Sequence, residues 1–202
     1  MLKLKKIFTT PATILSLCLL QSSTSHGFMR LSAAGVGNST RISGQSGDVK
    51  LSGKPDGIGK GGGLLLELGG KVGVELGAFY MERNVHFPLT ILGNTLDIKV
   101  SAMTLHFPVL IRFHPIPFMS FGLGGYYSKY RSASAAIIIN GTTIASEQSI
   151  ATGNDRGVTA AAGLRIPIGN IEPFVDGRYN YGLKKDAQVD EIQGLVGICS
   201  VL

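Results

Sequence analysis

From about residue 60 onward, most apolar segments alternate residue by residue, with large apolar side chains on one face and Gly, small or charged residues on the other. Successive side chains of an extended strand point to opposite faces, so a period of two describes strands with one greasy face and one wet one. Between Ile171 and Leu183 one face carries Ile171, Val175, Tyr179, Tyr181 and Leu183, and the other Glu172, Asp176, Arg178 and Asn180. Ser101 to His114 sets Met103, Leu105, Phe107, Val109, Ile111 and Phe113 against Ala102, Thr104, His106, Arg112 and His114, with Leu110 breaking the polar side. Val72 to Arg83 sets Val72, Val74, Leu76, Ala78 and Tyr80 against Gly73, Glu75, Gly77 and Arg83, with Phe79 and Met81 as exceptions.

A chain of 202 residues is expected to form one domain with a sizeable core. Only 16% of residues are charged and the mean hydropathy is +0.25, yet beyond the amino terminus no run of about 18 apolar residues is present to make a transmembrane helix. High apolarity without such a helix favours strands, and 28 Gly suit turns, bulges and close backbone approach.

Residues 1–25 read as a cleaved secretory signal: Lys3, Lys5 and Lys6, an apolar stretch from Ile7 to Leu20, then Ser22, Ser23 and Ser25, with cleavage after Ser25 or Gly27. A membrane anchor fits less well, because Thr9, Thr10 and Pro11 interrupt a short apolar stretch. Lipoprotein processing at Cys18 would place the bulky Leu17 where a small residue is expected. Without Lys3, Lys5 and Lys6 the basic residues fall from 19 to 16 against 13 acids, so the exported chain, residues 26–202, carries +3 rather than +6. The remaining bases are scattered, which argues against nucleic acid. Cys199 stands alone outside the signal, so no intramolecular disulfide is expected.

Short and long connections alternate. Gly69-Gly70-Lys71, His114 to Pro117 and Ile168 to Asn170 are tight, whereas Asn84 to Asp97, Ser132 to Asn154 and Lys184 to Asp190 are longer and more polar. Outer-membrane barrels have short periplasmic turns and longer external loops. The strands then run Gly62 to Leu68 down, Val72 to Arg83 up, Ile98 to Phe113 down, Phe118 to Tyr130 up, Gly157 to Pro167 down, Ile171 to Leu183 up and Glu191 to Leu202 down. An even count requires one more upward strand, and Phe28 to Gly37 supplies it, leaving Asn38 to Gly61 as the first external loop. The expected fold is all-β, an eight-stranded antiparallel up-and-down transmembrane barrel. Asn140-Gly141 marks a hairpin between Ala135 to Asn140 and Thr142 to Ser146, projecting above the membrane or, as an alternative, adding a strand pair to make ten.

All six Tyr (Tyr80, Tyr126, Tyr127, Tyr130, Tyr179 and Tyr181) fall in the later halves of upward strands and are expected to form the outer interfacial girdle. Phe113, Phe118, Phe121 and Phe174 lie near the short turns, toward the other boundary.

The strands so placed contain Arg30-Leu-Ser-Ala-Ala-Gly35-Val-Gly-Asn38, Leu105-His-Phe-Pro108-Val-Leu-Ile-Arg112-Phe113, Phe121-Gly-Leu-Gly-Gly-Tyr-Tyr127, and Asp155-Arg-Gly157 with Arg178-Tyr-Asn-Tyr-Gly-Leu183. In these segments the chain resembles the bacterial outer membrane protein β-barrel domain family, which includes PorT-like proteins. The resemblance covers most of the exported chain and implies a barrel the size of the OmpA or OmpX membrane domains, in the outer membrane of a Gram-negative bacterium. Members share strands and differ in loops, so the motifs speak for architecture. Two departures are the terminal Leu202, where such barrels usually end in an aromatic, and the absence of Trp.

The expected lumen face collects Glu67, Glu75, Thr104, His106, Arg112, Arg165, Glu172, Asp176 and Arg178. Buried charges must be paired, and an eight-stranded barrel is just wide enough for side chains to fill it, so these residues read as a polar network that holds the barrel shut. A rim-located lipid-modifying enzyme would need a base with a nucleophile and an orienting partner. His86, His106 and His114 are the candidates, none with Ser two or three residues away on its own strand, and His86 lies nearest the outer face. Gly57, Gly59 and Gly62 satisfy the spacing of a dinucleotide loop but precede a strand rather than a helix, and no cluster has metal-ligand spacing. The expectation is a monomeric, non-enzymatic barrel with no cofactor, partnered by outer-membrane lipid, lipopolysaccharide and the insertion machinery, and serving surface interaction, adhesion or envelope integrity through its loops. The alternatives are a soluble lipocalin-like barrel with its apolar face turned inward to a ligand, and the lipid-modifying enzyme.

Overall fold

The computed structural model describes residues 28–46, 49–91, 94–139, 142–149, 153–184 and 188–202, so the export signal of residues 1–25 and the Asn140-Gly141 turn lie outside the described residues. The described chain forms β1 (Phe28–Ser46), β2 (Val49–Pro55), β3 (Gly59–Gly69), β4 (Val72–Ile91), β5 (Asn94–Ile116), β6 (Met119–Ile139), β7 (Thr142–Ser149), β8 (Asn154–Arg165), β9 (Ile171–Gly182) and β10 (Gln188–Val201).

Eight of these strands close on themselves. β1 pairs with β3, which leads through β4, β5, β6, β8 and β9 to β10, and β10 returns to β1 from Arg30↔Val201 to Ser43↔Gln188. β7 stays outside the circuit because β6 divides one edge: Met119 to Lys129 pairs β8, and Ala133 to Ile139 pairs β7 higher up. A ten-stranded closure therefore does not form. β2 folds back on the end of β1 and touches β4 through Lys54↔His86 and Pro55↔Val85.

Closure fixes tilt. Partner by partner, Leu31 leads to Leu66, Leu76, Val109, Gly125, Val158, Tyr181, Asp190 and back to Arg41 on β1, a stagger of ten residues. Such a shear belongs with strands inclined roughly 35–45° to the axis.

The facing follows the alternation. Leu76, Val109, Ile111, Leu123, Leu164, Val175 and Val196 stand outward with 42 to 67% of their surface exposed, while Arg112, Asp176 and Arg178 on the opposite face are 2 to 5% exposed. Phe79, Met81 and Leu110, the breaks in the polar pattern, keep the parity of their strands and are buried inside.

The wall is uneven. β4, β5 and β6 hold 20, 23 and 21 residues, against 11 or 12 in β3, β8 and β9. A membrane crossing needs about 9–11 residues, so the longer strands continue well beyond the short ones at the end away from the tight turns. Three of the four long external connections expected from the sequence, Asn38 to Gly61, Asn84 to Asp97 and Ser132 to Asn154, are thus largely strand among the described residues. β1 runs on to Ser46, the segment from Asn84 to Asp97 pairs as a β4–β5 hairpin as far as Ile91↔Asn94, and Ser132 to Ile139 continues β6. Val85↔Val100 and Phe87↔Ile98 keep the alternation through this polar stretch, so backbone groups find ladder partners there. Register shifts occur where β6 gains Arg131 opposite Met103 and Thr104, and where β5 passes His114-Pro115 before the turn to β6. At the tight-turn end, Gly69 (φ 134°) and Gly169 (φ 63°) supply backbone conformations that side chains disfavour.

Gly157 on β8 has a different role, since a Cβ there would run into the Tyr181 carbonyl and the Tyr126 ring, whereas a Cβ on Gly194 would meet nothing within 4 Å. Gly157→Val is expected to destabilise the barrel by about 1–3 kcal/mol or more, and Gly194→Ala to stay within about 1 kcal/mol of wild type. Urea titration in detergent micelles followed by circular dichroism checks both; equal midpoints would show that β8 does not need this close approach.

Candidate functional site in the barrel lumen

Strand parity sends charged side chains inward at three heights. Nearest the tight turns, Glu67 on β3 accepts from Arg30 Nη1 at 3.0 Å and Arg165 Nη2 at 3.1 Å, and lies 2.7 Å from His114 Nε2. Arg30 and Arg165 also reach Glu172 Oε2, at 3.3 and 3.5 Å. Glu67 stands directly opposite Glu75 on β4, a like-charge juxtaposition that each carboxylate escapes through its own set of cations.

In the middle height, Glu75 takes Arg112 at 2.9 Å and Arg178 at 2.9 Å. Asp176 takes Arg112 through both carboxylate oxygens and Arg178 Nε at 2.8 Å, and Arg112 Nη1 also donates to Ser120 Oγ at 3.4 Å. Arg112 is carried on β5 and Asp176 on β9, so this fork spans the lumen and ties opposite walls together.

Toward the hairpins, Arg83 on β4 reaches Glu191 on β10 through Nη2 at 2.7 Å and Nε at 3.3 Å. Glu191 also accepts from Thr40, Asn180 and Gln193 at 3.2 to 3.3 Å. Arg83 lies 3.7 Å from Asp155, which accepts the Tyr126 hydroxyl proton at 2.9 Å, and donates to Ser128 Oγ at 3.3 Å and Tyr130 Oη at 3.4 Å. Between these polar heights Ala34, Val36, Leu65, Phe79, Met81 and Leu195 form an apolar cluster joined by Phe174, with the Arg178 guanidinium 5.7 Å from the centre of the Phe79 ring.

All nine residues expected on the lumen face point inward and eight of them meet polar partners, while Thr104 is buried with its Oγ1 unpartnered among the described residues. Glu67, Arg165 and Glu172 gather at the first height, Glu75, Arg112, Asp176 and Arg178 at the second, and His106 beside the third. Sequence reasoning left out Arg30, Arg83, His114, Asp155 and Glu191 from that network. Arg83 and His114 already stood on polar faces, but Asp155 and Glu191 sit at strand ends and Arg30 on the strand that alternates worst. Two girdle tyrosines require correction: Tyr126 is 5% exposed, and Tyr130 turns its hydroxyl to Arg83. Tyr126 and Tyr127 are consecutive, so one of them must face inward. Tyr80, Tyr127, Tyr179 and Tyr181 remain outward, as do Phe113, Phe118 and Phe121, whereas Phe174 shares the parity of Glu172 and Asp176 and packs inside.

His106 finds a Ser from the neighbouring strand, in register, with Nδ1 2.8 Å from Ser128 Oγ. Both residues are fully buried, His106 Nε2 has no hydrogen-bond partner among the described residues, and Ser128 is already engaged by Arg83. The pair is thus sealed from solvent, and among the described residues no carboxylate orients the His106 ring. His86 is half-buried on the outward side of the β4–β5 extension, with Nε2 3.0 Å from Asp97 Oδ1. A cavity of about 20 Å³ between the first two heights, bounded by Ser32, Glu67, Glu75, Arg112, Asp176 and Cys199, has room for a water molecule and not for a solute.

Removing Arg112 leaves Glu75 and Asp176 buried against Arg178 alone. Arg112→Met is expected to cost about 3–5 kcal/mol, and the triple change with Glu75→Gln and Asp176→Leu to recover part of that loss. Urea unfolding of the refolded proteins checks this; a loss below about 1 kcal/mol would mean that the fork does not hold the walls together.

No family model and no curated protein matches the chain. Solved barrels do. The chain is similar to the outer membrane protease OmpT from Escherichia coli, with a TM-score of 0.50 and 11% identity over 89% of this chain and 98% of that one. It is similar also to Ail, the attachment invasion locus protein of Yersinia pestis, with a TM-score of 0.43 and 16% identity over 88% and 100%, and to Neisserial surface protein A, with 0.37 and 13% over 87% and 97%. At such identities the likeness to OmpT extends to the fold, a closed antiparallel β-barrel of the kind found in outer-membrane proteins.

Proposed function

We propose that this chain is an exported, monomeric, non-enzymatic barrel of a Gram-negative outer membrane, of PorT-like affiliation, inserted by the barrel-assembly machinery and surrounded by lipid and lipopolysaccharide. Its hairpins β1–β2, β4–β5 and β6–β7 form the working surface, for surface interaction, adhesion or envelope integrity. The observation that carries this reading is the inverted distribution of polarity: paired charges inside, and an apolar belt from Leu31 and Leu64 round to Val196 and Ile198 outside. A water-soluble barrel would require the reverse, which weighs against the lipocalin-like alternative. The filled lumen supports a role other than conduction, and the sealed Ser128–His106 pair supports one other than catalysis. Tight turns on one side and tall hairpins on the other match periplasmic and external ends.

The reading is tested by fractionating cells that express the full chain and treating intact cells with a protease. The expected result is recovery in the outer membrane, cleavage confined to the hairpins and a protected core containing β8 to β10. Recovery in the soluble periplasm, with the hairpins resistant, contradicts it.

A further inference from the structure

On the outward face of β5, β6, β8 and β9 the wall dips into a groove of about 370 Å³ lined by Phe107, Val109, Tyr127, Arg156 and Leu183. It exists because Gly125 stands on the outward face of β6, between Val109 of β5 and Val158 of β8, where its neighbours carry side chains. The depression is shallow and open, and apart from Arg156 its walls are apolar or aromatic.

The upper rim is basic. Arg156 is exposed and pairs in register with Tyr127, and Lys129 is the next outward residue on β6. Among the described residues no carboxylate pairs with Arg156 or Lys129. Tyr127 and Tyr181 stand outward at the same level, as aromatic side chains do where head groups meet acyl chains. An apolar groove below a basic rim, at an aromatic boundary, is complementary to one chemical class: a lipid whose acyl chain lies below a phosphate-bearing head group.

On the reading of the chain as a membrane barrel, we propose that this groove binds one phosphate-bearing lipid of the surrounding leaflet. One acyl chain lies over Gly125 against Phe107 and Val109, and the phosphate rests between Arg156 and Lys129. Recognition is by shape at Gly125 and by charge at the rim. The site differs from the general apolar belt, which holds lipid without selecting the head group.

The test uses the full-length exported chain in phosphatidylcholine nanodiscs doped with bis-phosphorylated lipid A, followed by native mass spectrometry after detergent release, with heat-modifiable electrophoresis of the same samples to score folding. The wild type is expected to retain one lipid A. Retention falls about tenfold or more for the dephosphorylated lipid and for Arg156→Gln with Lys129→Gln, and for Gly125→Leu, which fills the groove from the lipid side; Lys60→Gln, an exposed charge on β3, leaves it unchanged. A folded wild type that retains both lipids equally, or loses none to Arg156→Gln with Lys129→Gln, overturns the lipid site and leaves the barrel standing. A wild type that never gives a heat-modifiable band overturns both.

Discussion

A guanidinium placed between carboxylates from opposite walls is the interaction on which the rest of this molecule depends. A closed eight-stranded sheet leaves a lumen too narrow for bulk water, so charges pointing into it lose their hydration and must find partners across the barrel. Arg112 does so between β5, β4 and β9, Arg178 between β9 and β4, Arg83 between β4 and β10, and Arg165 between β8 and β3. Breaking one pair leaves a buried charge uncompensated, so the network makes the closed register costly to depart from. Whether its polar chemistry adds net stability over an apolar filling is a separate matter; what it secures is a single alignment of strands.

The same arrangement explains the exterior. With the charges of the lumen network facing in, the outward parity is open to Leu, Val, Ile and Phe, and the wall presents an apolar belt that water would penalise and hydrocarbon accepts. Stagger couples the two faces, because a slip of one residue on any strand would exchange them. Above this level the constraint relaxes. β4, β5 and β6 rise beyond the closed circuit, β7 pairs only with β6, and the outward side of the β4–β5 extension carries part-exposed pairs, His86 with Asp97 and Lys99 with Asp56. Such exposed pairs contribute little to stability, which leaves this surface able to vary.

Most of the barrel was legible because alternation, turn chemistry and parity agree over β4, β5 and β9. Glu75, Arg112, Asp176 and Arg178 could be assigned to the lumen from their strands alone. Their partners could not, since which Arg meets which carboxylate depends on stagger, and stagger is set by closure rather than by any local segment. Tyr126 shows a different limit: the likeness of all six tyrosines suggested one girdle, yet Leu123 and Tyr127 share a parity that excludes Tyr126 from it. Phe174 shows the same limit, since its parity with Glu172 and Asp176 outweighs its residue type. The tall hairpins read as loops because Asn84, His86 and Asp97 are polar, although Val85, Phe87 and Ile98 continue the strand pattern around them. Ser128 escaped notice beside His106 because cross-strand neighbours are remote in sequence.

The central claim is that this barrel is polar inside and apolar outside, and nitroxide scanning along β10 tests it most directly. With Cys199 replaced by Ser, spin labels would be placed singly from Glu191 to Ile198 in protein reconstituted into vesicles, and collision with lipid-soluble oxygen compared with collision with a water-soluble paramagnetic reagent. The account predicts high oxygen collision at Ile192, Gly194, Val196 and Ile198 and low collision with either reagent at Glu191, Gln193 and Leu195. Water-soluble collision at Ile192 and Val196, or oxygen access in the opposite phase, would contradict it.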